Sequence, residues 1–238
     1  MSSIVQIAYL IASILFVMGI KFLSKTKDAR KGNFLSAIGM LIAVVATLVT
    51  LDILSFVEMF ACMLIGGAIG LYYSKKVEMT QIPEMVALFN GFGGMASLAV
   101  ALSDHFLKTE VLQTEIDSVN SISIIASVLI GGVTFTGSIV AWLKLNGKIS
   151  GQPITFSGQH LLNLLLLLTF IGVGVMTFLF QIEPIYITIL VAISLLVGVL
   201  IVIPIGGADM PVVISLLNSY SGMAACATGF ILNNNVLI

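Results

Sequence analysis

The sequence predicts an all-α protein, a polytopic bundle of about eight transmembrane helices. Two features of its composition indicate this fold class: 59% of the residues are hydrophobic and only 9% are charged. A water-soluble domain carries roughly 25% charged residues, so this chain lacks the side chains that would cover a water-facing surface. The third observation is a series of apolar segments of about 20 residues, the length that crosses the hydrocarbon core of a bilayer.

The first predicted span covers residues 3–23 and is followed, rather than preceded, by a run of basic residues. A cleaved secretory signal has the opposite order, with its positive charge before the apolar segment. We therefore expect a retained first helix. Pro184 and Pro211 stand near the starts of the last two spans, where proline is tolerated in a helix. The remaining predicted spans are 34–51, 53–74, 81–103, 120–144, 160–181, 184–204 and 209–232.

The division between the second and third spans relies on the distribution of basic residues. If the chain turns at Asp52, nine of the ten Lys and Arg residues fall on one side of the membrane and only Lys108 falls on the other. If residues 34–74 formed one helix, the split would be six to four. The positive-inside rule favours the turn and assigns the lysine-rich loops to the cytoplasm, which leaves the N-terminus outside.

The whole of residues 1–238 is expected to form one transmembrane domain. Its last residues, VLI, resemble the start of a ninth span, which we expect to follow. The net charge of −1 and the lack of a basic stripe argue against a nucleic-acid partner. The two cysteines lie in apolar segments and provide neither a disulfide framework nor metal-ligand spacing.

Polar residues inside three of the predicted spans fall at a similar depth. Asn90 and Asn218 each lie nine residues past the predicted start of a helix that enters from the cytoplasmic side. On the antiparallel helix 120–144, Thr134 reaches a similar level and Ser138 lies slightly nearer the cytoplasm. One interpretation is a hydrated path or a binding site near the middle of the membrane. The alternative is that these residues are ordinary hydrogen-bonding contacts between membrane helices.

The segment NGFGGMA at residues 90–96 fits G-x-G-x-x-A, a loose form of the dinucleotide-binding fingerprint. That fingerprint follows a strand and opens a helix within a βαβ unit. Here the segment lies inside one apolar span. The glycines favour close helix packing instead, with Gly91, Gly94 and Ser97 forming a stripe of small residues. We expect no nucleotide to bind there.

Ionisable residues in or beside the spans are further candidates, because charge in a bilayer is costly. Glu58 is expected to lie about 9 Å into the third helix, either at a proton or ion entrance or simply near the interface. Glu84 and Asp209 stand at helix N-termini, where a carboxylate suits the helix dipole. His160 begins a span, as a cap or as a docking contact. His105 is expected in a solvated outer loop.

Three segments carry a resemblance to a known family. They are KKVEMTQIPEMVALFNGFGG (75–94), KLNGKISGQPITFSGQHLLN (144–163) and GGADMPVVISLLNSYSG (206–222). The chain closely resembles the membrane domain of the β subunit of proton-translocating NAD(P) transhydrogenase, in order and over essentially its whole length. The resemblance implies an enzyme that transfers hydride from NADH to NADP while protons cross the membrane inward.

The resemblance also implies the partners. The NAD-binding domain belongs to an α subunit with its own membrane helices, and the NADP-binding domain follows the β membrane domain after a ninth span. No cofactor or catalytic residue is then expected within residues 1–238. The complex is expected to be a dimer, embedded in lipid, in a bacterial plasma (inner) membrane.

Several residues acquire roles through this resemblance. Asn218 corresponds to an asparagine tied to proton translocation, and Asp209 corresponds to an acidic residue at the contact with the NADP domain. Many members have histidine where this chain has Asn90, and others have asparagine. An amide does not titrate near neutral pH, whereas imidazole does. We hypothesise that a helix of the partner subunit supplies the titrating group, with Asn90 holding water beside it.

The predicted sites follow from these observations. The residues expected on the proton path are Asn90, Asn218, Thr134, Ser138 and Glu58. Those expected to couple the domains are Asp209, Glu84 and His160.

Two other function classes fit the residues without the resemblance. The first is a secondary transporter of ions or small solutes with a site at Asn90, Asn218 and Thr134, although no inverted repeat with broken helices is visible. The second is a non-catalytic membrane scaffold of a larger complex. Proton uptake driven by nucleotide addition would distinguish a transhydrogenase from both.

Overall fold

The computed structural model describes residues 3–50, 56–112, 116–180, 184–234 and 236–238, and every regular element in these ranges is helical. Within them, eight helices are long and apolar enough to cross a membrane. The predicted all-α class and the number of spans are therefore confirmed. The helices are α1 (Ser3–Leu23), α2 (Ala29–Thr50), α3 (Phe56–Lys76), α4 (Ile82–Phe106), α5 (Ser118–Leu145), α6 (Gln159–Phe180), α7 (Pro184–Val202) and α8 (Met210–Leu232).

Some helix ends differ from the predicted bounds. Helix α2 begins at Ala29, before the apolar segment, because Arg30 and Lys31 are good helix formers that continue the helix beyond its apolar part. Helix α4 runs on to Phe106 and continues as a π-helical turn, Leu107–Val111. The predicted turn at Asp52 lies outside the described residues.

The chain divides into two compact units, Met1–Lys76 and Val77–Ile238. In the first unit, α1 packs against α2, and the hydroxyls of Tyr9 and Thr47 lie 3.0 Å apart across that contact. Helix α3 has none of its most apolar stretch buried. Its apolar side chains are therefore available to lipid or to other helices.

In the second unit, α5 is the central helix and packs against α4, α7 and α8, while α6 packs on α7. Apolar side chains from α4, α5, α7 and α8 meet around Ala87, Val140, Val202, Met210 and Leu217, all of them buried. This core holds the first turns of α4 and α8 against the last turns of α5 and α7. It fixes the framework on which the polar residues of the candidate site are placed.

Helices α4 and α5 cross at a pair of glycines. A Cβ atom built on Gly94 would lie 2.8 Å from the Gly131 carbonyl oxygen, and one built on Gly131 would lie 2.7 Å from the Gly94 oxygen. These distances leave no room for a side chain on either helix. The packing role predicted for Gly91 and Gly94 is confirmed, since a Cβ atom on Gly91 would also lie close to α5, 3.2 Å from the Ser138 Cβ atom.

Replacing Gly94 with alanine is expected to destabilise the protein by about 1–3 kcal/mol, the usual effect of overpacking a close contact. The added methyl would meet backbone atoms of α5, which cannot move aside as a flexible side chain can. The matched control is Gly93→Ala, whose Cβ would have only Ser221 Oγ nearby, at 3.9 Å. Thermal unfolding of the purified complex in detergent measures the difference. Equal midpoints for the two variants would contradict this packing.

Candidate functional site

Asn90 lies on the face of α4 that meets α5 and α8, and it is only 8% exposed. Helices α4 and α8 begin in the same way, each with a proline in the first turn. Asn90 and Asn218 each lie eight residues past the first residue of their helix, from 82 to 90 and from 210 to 218. The two amides therefore stand at the same distance along their helices, as the sequence predicts.

The side chain of Asn90 is hydrogen-bonded to two other helices. Its Nδ2 group donates to Ser138 Oγ on α5 at 2.9 Å, and Ser221 on α8 donates from Oγ to Asn90 Oδ1 at 2.7 Å. Ser138 is fully buried. We call Asn90, Ser138 and Ser221 the Asn90 cluster. It links three spanning helices through polar groups in an otherwise apolar interior.

The chemistry of the Asn90 cluster is that of a hydrogen-bonded chain without an acid or a base of its own. A serine hydroxyl both donates and accepts, so the two serines can relay a hydrogen bond through the amide. The surrounding segments 85–103, 118–143 and 210–238 contain no Asp, Glu, His, Lys or Arg. The cluster can therefore orient water or a neighbouring titratable group, but none of its own groups gains or loses a proton near neutral pH.

Two other residues predicted at the same depth, Thr134 and Asn218, make no hydrogen bond to the Asn90 cluster. Thr134 is fully buried against Gly94, and its Oγ1 has no hydrogen-bond partner among the described residues. Asn218 is exposed, and among the described residues no hydrogen bond joins it to Asn90. It lines an open groove between the first turns of α4 and α8, formed with Ile82, Pro83, Val86, Pro211, Ile214 and Ser215. The structure thus joins Asn90 to Ser138 but not to Asn218.

Glu58 belongs to the first compact unit. It lies in the first turn of α3 with its side chain exposed, as expected for a carboxylate near the end of a spanning helix. Its role as an entrance for protons stays a prediction.

The residues predicted to couple domains lie at one end of the second unit, where α4, α6 and α8 begin. Asp209 is exposed at the end of a 3-10 turn, Gly207–Asp209, and its side chain makes no capping hydrogen bond to α8. Glu84 Oε2 accepts a 3.2 Å hydrogen bond from Asn146 Nδ2, in the loop after α5. His160 is exposed on the first turn of α6. All three are accessible at one surface, and their coupling role stays a prediction.

Two residues with important contacts in the structure, Ser221 and Lys144, were not among the predicted site residues. Ser221 lies three residues past Asn218 in the segment NSYS. Residues three apart are neighbours on a helix surface, so this spacing indicates that Ser221 lies beside Asn218 on the polar side of α8. Lys144 was expected to be one of several basic residues flanking the spans. It is instead 4% exposed and donates three hydrogen bonds to backbone oxygens.

The expectation for His105 was wrong. Because α4 continues to Phe106, His105 belongs to the helix and is 7% exposed rather than solvated in a loop. It lines a small cavity with Thr109, Ser121 and Thr177. The apolar pattern ends before the helix does, so hydropathy alone placed this residue outside.

Comparison with known proteins identifies the family. The family model described as NAD(P) transhydrogenase beta subunit matches residues 5–238. The chain belongs to the NAD(P) transhydrogenase beta-subunit family. It is 38% identical over 240 aligned residues to a protein of Rhodospirillum rubrum named NAD(P) transhydrogenase subunit beta. A second sequence of the same name, from a particular strain of that species, matches equally well.

The alignment with each of these beta subunits covers 99% of this chain and 51% of the relative. The chain therefore spans about half the length of the curated transhydrogenase beta subunits it matches. The three segments that carry the resemblance all lie within the region matched by the family model, and the resemblance to this family is confirmed.

Proposed function

We propose that this chain is the membrane domain of a proton-translocating NAD(P) transhydrogenase beta subunit. It conducts protons, coupled to hydride transfer between NADH and NADP that are bound on other domains. The observation that carries the proposal is the Asn90 cluster, a buried hydrogen-bonded contact among α4, α5 and α8 in a member of this family. Polar groups buried within a membrane span are costly and often mark the path of a proton or an ion.

In this proposal the Asn90 cluster positions water rather than titrating. A proton arriving near the middle of the membrane needs a group that binds it reversibly, and the described segments of α4, α5 and α8 around the cluster supply none. We assign that group to an intramembrane histidine on a helix of the partner subunit. The open groove beside Asn218 supports this assignment, because it leaves polar groups of α8 facing outward where another helix can contact them.

The energetics are compatible with coupling. One proton that crosses a potential of 100 mV releases about 2.3 kcal/mol. That free energy shifts a nearly balanced hydride transfer by about 50-fold. For this free energy to drive hydride transfer, proton passage at the Asn90 cluster must depend on which nucleotides are bound to the NAD and NADP domains. In this proposal those domains act through the surface formed by the exposed residues Asp209 and His160 and the half-buried Glu84.

The partners follow from the proposed function. They are an alpha subunit or subunits with membrane helices and an NAD-binding domain, and an NADP-binding domain of the same beta subunit, in a dimeric complex. The membrane is a bacterial plasma membrane, with the lysine-rich loops cytoplasmic and the N-terminus outside. Exposed apolar side chains along α3 and α6 fit contact with lipid or with the helices of a partner.

The test is proton transport driven by nucleotides. Inverted membrane vesicles that contain the whole complex should take up protons when NADPH and NAD are added together, because this pair drives the reverse of the reaction that moves protons inward. Neither nucleotide alone should cause uptake. Uptake that continues without nucleotides would favour a secondary transporter. Hydride transfer without proton movement would indicate that the chain is a non-catalytic membrane scaffold.

The proposed source of the titrating group has its own test. Replacing each intramembrane histidine of the partner subunit in turn should abolish proton uptake in at least one variant. If proton uptake persisted after all of them had been replaced together, the titrating group would lie elsewhere.

A further inference from the structure

Lys144 is the most completely buried cation in the described part of the chain, and the function proposed above makes no use of it. It stands in the last turn of α5, and its side chain is turned inward, with 4% of the residue exposed. A lysine that only flanks a membrane span extends its ammonium group to water. Lys144 therefore has a different role from the neighbouring Lys148, which is exposed and lies 4.6 Å over the Trp142 ring.

The ammonium group of Lys144 is bound by backbone oxygens of two other segments. Nζ donates to the carbonyl oxygens of Ile203 and Ile205, each at 2.7 Å, and of Gln152 at 3.1 Å. An ammonium group has three protons, so all of its donor capacity is used. Ile203 and Ile205 follow the C-terminus of α7, where unpaired carbonyl groups favour a cation.

These bonds join two connecting segments, the loop 146–158 after α5 and the segment 203–209 between α7 and α8. Further backbone bonds link the same segments: Gly207 N donates to Gly151 O at 2.7 Å, and Ile154 N donates to Ile203 O at 3.3 Å. We call this arrangement the Lys144 latch. It fixes the base of the turn that ends at Asp209.

The latch lies between the surface turn and the Asn90 cluster. Lys144 is six residues past Ser138 on α5, a rise of about 9 Å. Asp209 is followed directly by α8, the helix that carries Ser221. The end of α5 and the start of α8 are thus held at one point. Helix α5 carries Ser138 about two turns before that point, and α8 carries Ser221 about three turns after it.

We propose that Lys144 is a positioning residue for coupling. Its buried ammonium group holds the segment 203–209, and with it Asp209 and the start of α8, in a fixed position relative to α5. A partner domain that contacts Asp209 then acts on α5 and α8 together, and so on the Ser138 and Ser221 contacts of Asn90. The inference rests on the proposed function, because it concerns how a cytoplasmic contact reaches the proton site.

The test compares Lys144→Met with Lys148→Met in vesicles that contain the whole complex. Methionine keeps the length and the apolar stem of Lys144 but removes the charge and all three donors. The number of protons taken up per hydride transferred should fall by about tenfold or more, because even one hydrogen bond to a buried charged group is worth that factor. Lys148→Met should keep the wild-type ratio, and Lys144→Arg, which keeps the charge and the donors, should recover part of it.

The number of protons taken up per hydride transferred distinguishes a positioning role of Lys144 from a general structural role. A variant that merely assembles less well lowers both rates together and leaves the number of protons per hydride unchanged. An unchanged ratio in Lys144→Met would therefore overturn the inference, provided that the wild-type vesicles pump. If the wild-type vesicles move no protons with nucleotides, the proposed function itself fails, and the two failures are distinguished.

A second variant keeps the test decisive if Lys144→Met does not reach the membrane. Gly207→Pro removes the N–H donor to Gly151 while leaving Lys144 in place. The extended backbone of Gly206 suits a residue before proline, and the first position of a helical turn tolerates proline. This variant should also lower the number of protons per hydride. If it assembled and kept the wild-type ratio, the position of the segment 203–209 would not matter and the inference would be wrong.

Discussion

Replacing Asn90 with leucine is expected to lower coupled proton translocation by about tenfold to a hundredfold, since leaving a buried polar group without its partner costs about 1–3 kcal/mol. Leucine has a similar size, so the packing of α4 against α5 and α8 is largely kept. It removes the amide that links Ser138 to Ser221 and leaves the fully buried Ser138 hydroxyl without the donor it has now. Water could no longer be held at this level by the amide.

The measurement is nucleotide-driven proton uptake by vesicles, normalised to the amount of complex in the membrane. Asn33→Leu is the matched control, because Asn33 is exposed on α2 and the same chemical change there leaves the Asn90 cluster intact. Equal rates of proton uptake in Asn90→Leu and Asn33→Leu would show that Asn90 does not lie on the proton path.

Replacing Asp209 with asparagine is expected to reduce proton-coupled hydride transfer by about tenfold, the factor that corresponds to losing one charge-assisted hydrogen bond to a docked domain. Asp209 is exposed and makes no capping hydrogen bond, so its carboxylate contributes to the fold only through the dipole of α8. That contribution is about 0.3–1 kcal/mol, too small to unfold the domain. A loss of rate without a loss of thermal stability would show that the charge acts on a partner.

Asp28→Asn serves as the control for the charge change. Asp28 lies in the connection between α1 and α2 and forms a 3.7 Å ion pair with the exposed Lys31. An exposed ion pair of this kind contributes little to stability, about 0–1 kcal/mol. Coupled rates for Asp209→Asn that match those of Asp28→Asn and the wild type would contradict a coupling role for Asp209.

The sequence predicted the helices of this fold well because the composition excludes a water-soluble fold and the apolar segments have the length of spanning helices. A chain with so few charges has to place its surface in lipid, and lipid requires helices whose backbone groups are bonded internally. Equal spacing from two helix starts also predicted the shared level of Asn90 and Asn218. Hydropathy marks the apolar part of a helix rather than its last residue, which is why the prediction for His105 was wrong.

The side-chain partners could not be predicted in the same way. Which face of α8 meets α4 depends on tertiary packing, and this packing turns Ser221 toward Asn90 while Asn218 lines the groove. Lys144 shows the limit most clearly. Its acceptors are main-chain oxygens of Gln152, Ile203 and Ile205, so no residue type in the sequence indicates that they bind a cation.

The number of protons moved per hydride transferred, measured in the same vesicles for Ser221→Ala and Ser219→Ala, tests the role of the Asn90 cluster most directly. The two serines lie on the same helix, but only Ser221 donates to Asn90, whereas Ser219 is exposed. We expect Ser219→Ala to keep the wild-type ratio and Ser221→Ala to lower it. Equal ratios in the two variants and the wild type would contradict a place for the Asn90 cluster on the proton path.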